Sequence, residues 1–204
     1  MKIALFGNPN TGKSCIFNLL TGLRQQVGNF PGVTVERKSG VFQIEENKYT
    51  LTDFPGIYSI YPHSKDEEVV YNVITDPKNK DYPDLAIVVV DSSNLERNLL
   101  LFTQLQDLKI PLILVLNMGD IAAKKGIELD LDALKSAFPS TDSRSWWRSA
   151  AHRWRTAPRR GRALRQEAGV VAILTANDIP GLNDCGPIVH DDPILAQGEL
   201  RFVG

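Results

Sequence analysis

Glycines at positions 7 and 12, a lysine at 13 and a hydroxyl at 14, in the run GNPNTGKS, form a spacing suited to holding phosphate. A loop of this length aims successive backbone N–H groups at phosphate oxygens, and a helix starting at its end adds partial positive charge. Lys13 would reach the β- and γ-phosphates of a nucleotide, and the Ser14 hydroxyl would bind Mg²⁺. Gly7, Asn8, Pro9, Asn10, Thr11, Gly12, Lys13 and Ser14, with Cys15 just beyond, are therefore candidate nucleotide contacts. The plainer alternative is a glycine turn capping an ordinary helix. Context favours the phosphate loop. The apolar run KIALF precedes it as a strand would, and SCIFNLLTGL follows it with helical spacing.

Three further pieces come in the order such a site needs. LTDFPG closes a strand with Asp53 and then Gly56. An acid there holds Mg²⁺ through water, and the Gly56 N–H reaches the γ-phosphate. NMGD, from Asn117 through Met118 to Asp120, follows the apolar run PLILVL. The Asp120 carboxylate would accept two hydrogen bonds, from guanine N1–H and the exocyclic amine. Adenine offers no such donor pair, so a fitted carboxylate discriminates strongly. Asn117 would tie this loop back to the phosphate loop. Thr34 lies in a polar loop, placed to be a second hydroxyl ligand of Mg²⁺. Each piece alone reads as a plain turn. Together they read as a guanine-nucleotide switch that binds GTP and GDP, with Ser14, Thr34 and Asp53 as metal ligands and Lys13, Thr34 and Gly56 acting on the reacting phosphate.

The elements that must position these residues follow from patterning. KIALF is a buried strand candidate. TVERKSGVFQIEENKYTLTDF alternates around EEN as a hairpin does. LAIVVVD and PLILVLN are continuous apolar runs suited to central parallel strands covered on both faces. NLERNLLLFTQLQDLK between them, and DLDALKSAF after them, read as helices. Strands alternating with helices imply an α/β fold, a doubly wound and mostly parallel sheet with one antiparallel edge hairpin.

The 204 residues carry a net charge of −1 and are 43% hydrophobic, enough for a real core and no argument for nucleic acid or an anionic membrane as the main partner. No stretch approaches the length of a membrane-spanning helix. The two cysteines, Cys15 and Cys185, do not read as a disulfide framework, and a cytoplasmic setting is the simplest expectation. Composition breaks sharply near residue 142. All eleven lysines lie at or before Lys135, whereas nine of twelve arginines lie after residue 143. Residues 1–142 carry net −4 and 143–204 net +3. The division expected is 1–140 as a nucleotide-binding domain, 141–168 as an Arg/Trp-rich junction, and 169–204 as an appended tail. A nucleic-acid patch over 143–167 is the sharper reading of the junction and a linker the plainer one.

GNPNTGKS, VGNFPGVTVERKSG, DFPGIYSIYPHSKDEEVVYNVI and NMGD together resemble the cytosolic G domain of bacterial ferrous iron transport protein B, over about residues 1–140. The resemblance implies a Ras-like P-loop GTPase fold and slow GTP hydrolysis. It also implies control of Fe²⁺ passage by a membrane permease domain in the same full-length chain, at the cytoplasmic face of the inner membrane, with oligomerisation left open. It implies further that Asn10 helps hold K⁺ near the β- and γ-phosphates, doing the work of an arginine finger. Ile57 follows Gly56 where Ras-like enzymes carry a water-orienting glutamine, so the attacking water must be positioned by backbone groups.

The family's G domain continues past LKSAF with a strand and a Ser-Ala-like loop touching guanine. Neither is recognisable after about Thr141. GVVAILTANDIPGLNDCGPIVHDDPILAQGELRFVG instead resembles a piece of the molybdenum-binding subunit of xanthine dehydrogenase, without any residue of its metal site. VVAILTA can still add the missing edge strand, which would put Thr175, Ala176 and Asn177 at the guanine. The rival expectation is a truncated or fused chain that binds nucleotide poorly and serves as a non-catalytic interaction module.

Overall fold

The computed structural model describes residues 1–22, 25–31, 33–44, 46–138 and 170–175. The strands are β1 (Lys2–Gly7), β2 (Gln25–Asn29), β3 (Glu36–Ile44), β4 (Asn47–Asp53), β5 (Leu85–Asp91), β6 (Leu112–Asn117) and β7 (Val170–Thr175). The helices are α1 (Lys13–Thr21), α2 (Lys65–Thr75), α3 (Leu95–Asp107), α4 (Gly119–Lys124) and α5 (Leu131–Ala137). One seven-stranded sheet runs in the order β2-β3-β4-β1-β5-β6-β7. β1 pairs parallel with β4 and β5, and β6 pairs parallel with β5 and β7. β3 is antiparallel to both β2 and β4. The sheet is thus mostly parallel, with its antiparallel strands gathered at one edge.

Period-2 alternation in the central strands feeds two cores, one on each face. Ala4 and Phe6 of β1, with Ala86, Val88 and Val90 of β5, pack against α2 and α3 through Val70, Val73, Leu101 and Phe102. Ile3 and Leu5, with Leu85, Ile87 and Val89, face the other way, against Ile16 and Phe17 of α1. β7 takes up the same alternation: Ile173 packs on the first core and Leu174 on the second.

Two elements depart from expectation. β2 replaces part of the expected loop before the hairpin, and every one of its residues is exposed. With one apolar side chain in QQVGN there is no buried face to betray it; its hydrogen bonding to β3 carries it. α2 was not expected from patterning, yet its start is well capped. The Ser64 hydroxyl accepts from the Glu67 N–H, the Glu67 carboxylate accepts from the His63 N–H, and Asp66, Glu67 and Glu68 fill the first turn. Cys15 lies in the first turn of α1. Cys185 lies outside the described residues.

The segments that matter hang from the C-terminal ends of parallel strands: 8–12 after β1, 54–63 after β4, and the turn at Met118 that leads from β6 into α4. Open α/β sheets place ligand sites at such ends. A stack of rings anchors two of the segments. Phe54 lies 4.9 Å from Phe6 of β1 and 5.2 Å from Phe30, centroid to centroid. Phe30 is buried and belongs to the loop that carries Thr34. Full burial of such a ring stabilises by about 1.5–3 kcal/mol, so these loops are irregular in backbone but fixed at their roots.

Candidate functional site

The loop between β1 and α1 turns through two left-handed residues, Asn10 (φ 63°) and Gly12 (φ 81°). Asparagine and glycine are the residues that accept this conformation at least cost. Gly12 is also the N-cap of α1, so no side chain caps that helix, and its first turn holds no acid. The first N–H groups of α1 and its positive end are left for an anion. Crowding forbids side chains at both loop glycines. A Cβ on Gly7 would stand 2.6 Å from the Val89 carbonyl oxygen, and one on Gly12 would stand 2.2 Å from Asn117 Nδ2.

Asn117 reaches this loop from the end of β6, and its Nδ2 donates to the Thr11 carbonyl at 2.8 Å. The expected tie between the NMGD turn and the phosphate loop is therefore present. Met118 takes a left-handed conformation (φ 59°) that turns the chain into α4. Asp120 then sits in the first turn of α4, exposed, with Lys124 Nζ 3.6 Å from its carboxylate. Its carboxylate is open to a base approaching that rim.

Lys13 Nζ donates to the Asp53 carboxylate at the end of β4. Burial pushes the Asp53 carboxyl above its ordinary value, with Lys13 opposing the shift. Asp53 thus holds the lysine's charge where phosphate oxygens would. Beyond it, Gly56 lies against Pro9; a Cβ there would meet the Pro9 backbone at 3.1 Å. The next amide, Ile57 N–H, donates to the Gly7 carbonyl at 3.2 Å. The DFPG turn is docked on the phosphate loop by this backbone hydrogen bond and by the Lys13–Asp53 pair, and the Ile57 side chain is fully buried.

The loop 30–35 is clasped by the Phe30 N–H donating to the Val35 carbonyl at 3.0 Å. Its ends, Phe30 and Val35, are buried and Thr34 is exposed between them. Among the described residues no hydrogen bond links the Thr34 hydroxyl to Ser14 or Asp53. Ser14 is exposed at the start of α1. Thr175 ends β7 beside Leu116 of β6, one residue before Asn117; Ala176, Asn177 and the junction 141–168 lie outside the described residues.

One polar group was not singled out by spacing within the loop. Asn8 is buried, and among the described residues neither its Nδ2 nor its Oδ1 has a hydrogen-bond partner. An unpaired buried amide is costly, and here it lies in the seam between Gly7 and Pro9, the two residues the DFPG turn touches. An open helix end, crowded glycines, an orphaned amide and the oxygen-bearing Ser14, Thr34 and Asp53 suit a nucleotide phosphate chain with a hard divalent cation.

Residues 1–141 match the family model described as ferrous iron transport protein B. The Fe(2+) transporter FeoB of Shigella flexneri is 49% identical over 140 residues, 67% of this chain and 18% of that protein. The chain thus spans about a fifth of the length of the curated relatives it matches. Among solved structures, a point mutant of S. thermophilus NFeoB bound to GDP aligns with a TM-score of 0.65 and 34% identity, over 90% of this chain and 59% of that one. The cytosolic domain of L. pneumophila FeoB aligns with a TM-score of 0.64 and 42% identity, over 68% and 54%. These comparisons lend no support to the likeness of residues 169–204 to xanthine dehydrogenase. Among the described residues no helix is long and apolar enough to cross a membrane. With the family model matching well over half of it, the chain belongs to the ferrous iron transport protein B family through its G domain, a Ras-like P-loop GTPase fold.

Proposed function

We propose that residues 1–140 bind GTP and hydrolyse it slowly, as the nucleotide-controlled part of a longer Fe(II) transporter. The observation that carries this is the Asn117–Thr11 hydrogen bond over Gly12, which makes the phosphate loop and the base-reading turn one unit. The Gly7–Lys13 backbone cradles the phosphates, and Lys13 leaves Asp53 for the β- and γ-oxygens. Asp120 reads guanine, with Thr175 and Ala176 the candidates for the last contact with the base. Ser14 and Thr34 would hold Mg²⁺ with Asp53 behind them; when bound, the ion neutralises phosphate charge. Gly56 N–H senses the γ-phosphate. Asn10, left-handed and exposed at the loop's outer turn, is the candidate ligand of a K⁺ ion that would offset charge as an arginine does elsewhere.

Support for backbone-positioned water comes from Ile57, whose buried hydrocarbon cannot orient it. In the full-length relatives' context the domain would sit at the cytoplasmic face of the membrane and gate an Fe(II) permease in the same chain. The test is GTP affinity and turnover by this chain in K⁺ and in Na⁺, beside Asn10→Ala and Asp120→Ala. GTP binding, turnover that rises in K⁺, loss of that rise in Asn10→Ala and loss of guanine preference in Asp120→Ala are the expected results. Absence of guanine-nucleotide binding by the unaltered chain overturns the reading.

A further inference from the structure

The segment between β4 and α2 has no regular backbone from Phe54 to His63, so its N–H groups must find partners one at a time. Its near end is held by the sheet and the phosphate loop: Phe54 N–H donates to the Leu5 carbonyl and Ile57 N–H to the Gly7 carbonyl, each at 3.2 Å. Its far end is held by α3. The Ile60 N–H donates to Gln104 Oε1 at 3.0 Å. Seven residues earlier on the same helical face, the Arg97 guanidinium lies 4.2 Å from the centre of the Tyr58 ring. Residues 57–60 are therefore a short bridge strung between the phosphate loop and α3, with the Ile57 and Ile60 side chains buried beneath it.

What this bridge offers a nucleotide is backbone. Its Ile57 side chain carries no polar atom, so the place of the Gly56 and Ile57 amides depends on where the bridge is tied. The tie to Gly7 holds the near end on the last residue of β1. The tie to Gln104 holds the far end on α3, which is locked into the core by Leu101, Phe102 and Leu105. A side-chain carbonyl also matters where it stands: Ile60 is buried, and without Gln104 its N–H would lose its acceptor.

Resting on the GTPase reading above, we propose that Gln104 is a positioning residue for GTP hydrolysis, fixing the far end of the 56–60 segment so that the Gly56 amide is held against the phosphate loop when the triphosphate is bound. Its action runs through the Ile60 peptide, whose N–H it accepts. On that reading Gly56 serves the γ-phosphate, which a diphosphate lacks, so GDP affinity should not depend on the tie.

Gln104→Leu keeps the size of the side chain and removes the acceptor, while Gln104→Glu keeps an acceptor oxygen. The experiment measures, in the full 204-residue chain, kcat and KM for GTP, GDP affinity, and amide hydrogen exchange at Ile60. Gln104→Leu should lower kcat about tenfold, as loss of one well-placed hydrogen bond does. It should leave GDP affinity within about twofold and speed exchange at Ile60. Gln104→Glu should restore most of the turnover and the protection. The proposal is overturned if Gln104→Leu turns over GTP like the unaltered chain, if exchange at Ile60 is unchanged, or if GDP affinity falls as far as kcat in both variants, which would mean packing alone. An unaltered chain that binds no guanine nucleotide removes the GTPase reading, and this assignment with it. Turnover by the unaltered chain matched by Gln104→Leu removes the Gln104 assignment alone.

Discussion

Gly12 and Asn117 are separated by most of the domain in sequence, yet the structure makes them one device, and the coupling can be measured. Gly12→Ala introduces two costs. A non-glycine residue at φ 81° pays about 1–2 kcal/mol for the left-handed conformation. Its Cβ would stand 2.2 Å from Asn117 Nδ2, so the amide must swing away and give up its 2.8 Å bond to the Thr11 carbonyl. That bond is worth about 1 kcal/mol, more if the carbonyl stays unpaired. The total for Gly12→Ala is about 2–3 kcal/mol. Asn117→Ala alone loses the bond and costs about 1–2 kcal/mol.

In the double variant the second cost of Gly12→Ala disappears, because no amide remains to be displaced. The two substitutions should therefore fall short of additivity by about 1 kcal/mol, well outside the scatter of independent sites. The assay is denaturant unfolding of the nucleotide-free chain and its three variants, with GDP affinity measured in parallel. Additive effects on stability would refute the geometry, since they would mean that the Gly12 backbone and the Asn117 amide do not touch. A loss of GDP affinity in Asn117→Ala without any loss of stability would place Asn117 on the nucleotide alone, and would refute its role as a tie.

Ser64→Ala removes the hydroxyl that accepts from Glu67 N–H and should destabilise the nucleotide-free domain by about 1 kcal/mol, read as a lower denaturant midpoint; an unchanged midpoint would show that the three first-turn acids suffice without the cap. Asp53 has a folded-state carboxyl raised above its ordinary 3.8, so its favourable contribution is whole below that pH and is lost as pH rises through the raised value. Asp53→Asn should flatten that part of the stability profile of the nucleotide-free chain; an identical profile from pH 3.8 upward would refute the burial argument.

Legibility in the sequence followed physical signal strength. GNPNTGKS, DFPG and NMGD each pair a special backbone geometry with a side chain of defined chemistry, and the structure brings the first to both of the others. LAIVVVD and PLILVL announced central strands because burial on both faces removes polar residues. β2 was illegible because it buries nothing. α2 had legible signals, a serine cap with glutamate three residues on and the 69-70-73-74 apolar spacing, obscured by the aromatic turn that precedes it. Asn8 could not be singled out within its loop, since the direction of a side chain in a turn is set by the left-handed residues after it. Thr34 stood out as a hydroxyl, but its distance from the phosphate loop depends on how far Phe30 and Val35 let the loop lean in, a matter of packing.

The Lys13–Asp53 pair explains why nucleotide and divalent cation should bind together. The pair is largely buried, with 12% and 8% of the two side chains exposed. Breaking such a pair leaves an uncompensated charge in a poorly solvated place, the costly case for buried ions. On the function proposed above, phosphate recognition would require that break, because Lys13 would turn to the phosphates. Asp53 is then left without its counter-charge at a position where burial already disfavours its ionised form. Two outcomes restore balance: the carboxyl takes a proton, or a cation arrives. Ser14 at the head of α1 and Thr34 on its clasped loop are exposed hydroxyls, the donor type a small hard cation selects. On the proposed function Asp53 would be a counter-ion passed between partners, holding lysine when phosphate is absent and supporting the metal when phosphate is present. That exchange would make affinity for the phosphate chain depend on the cation without any direct bond between Lys13 and the metal site.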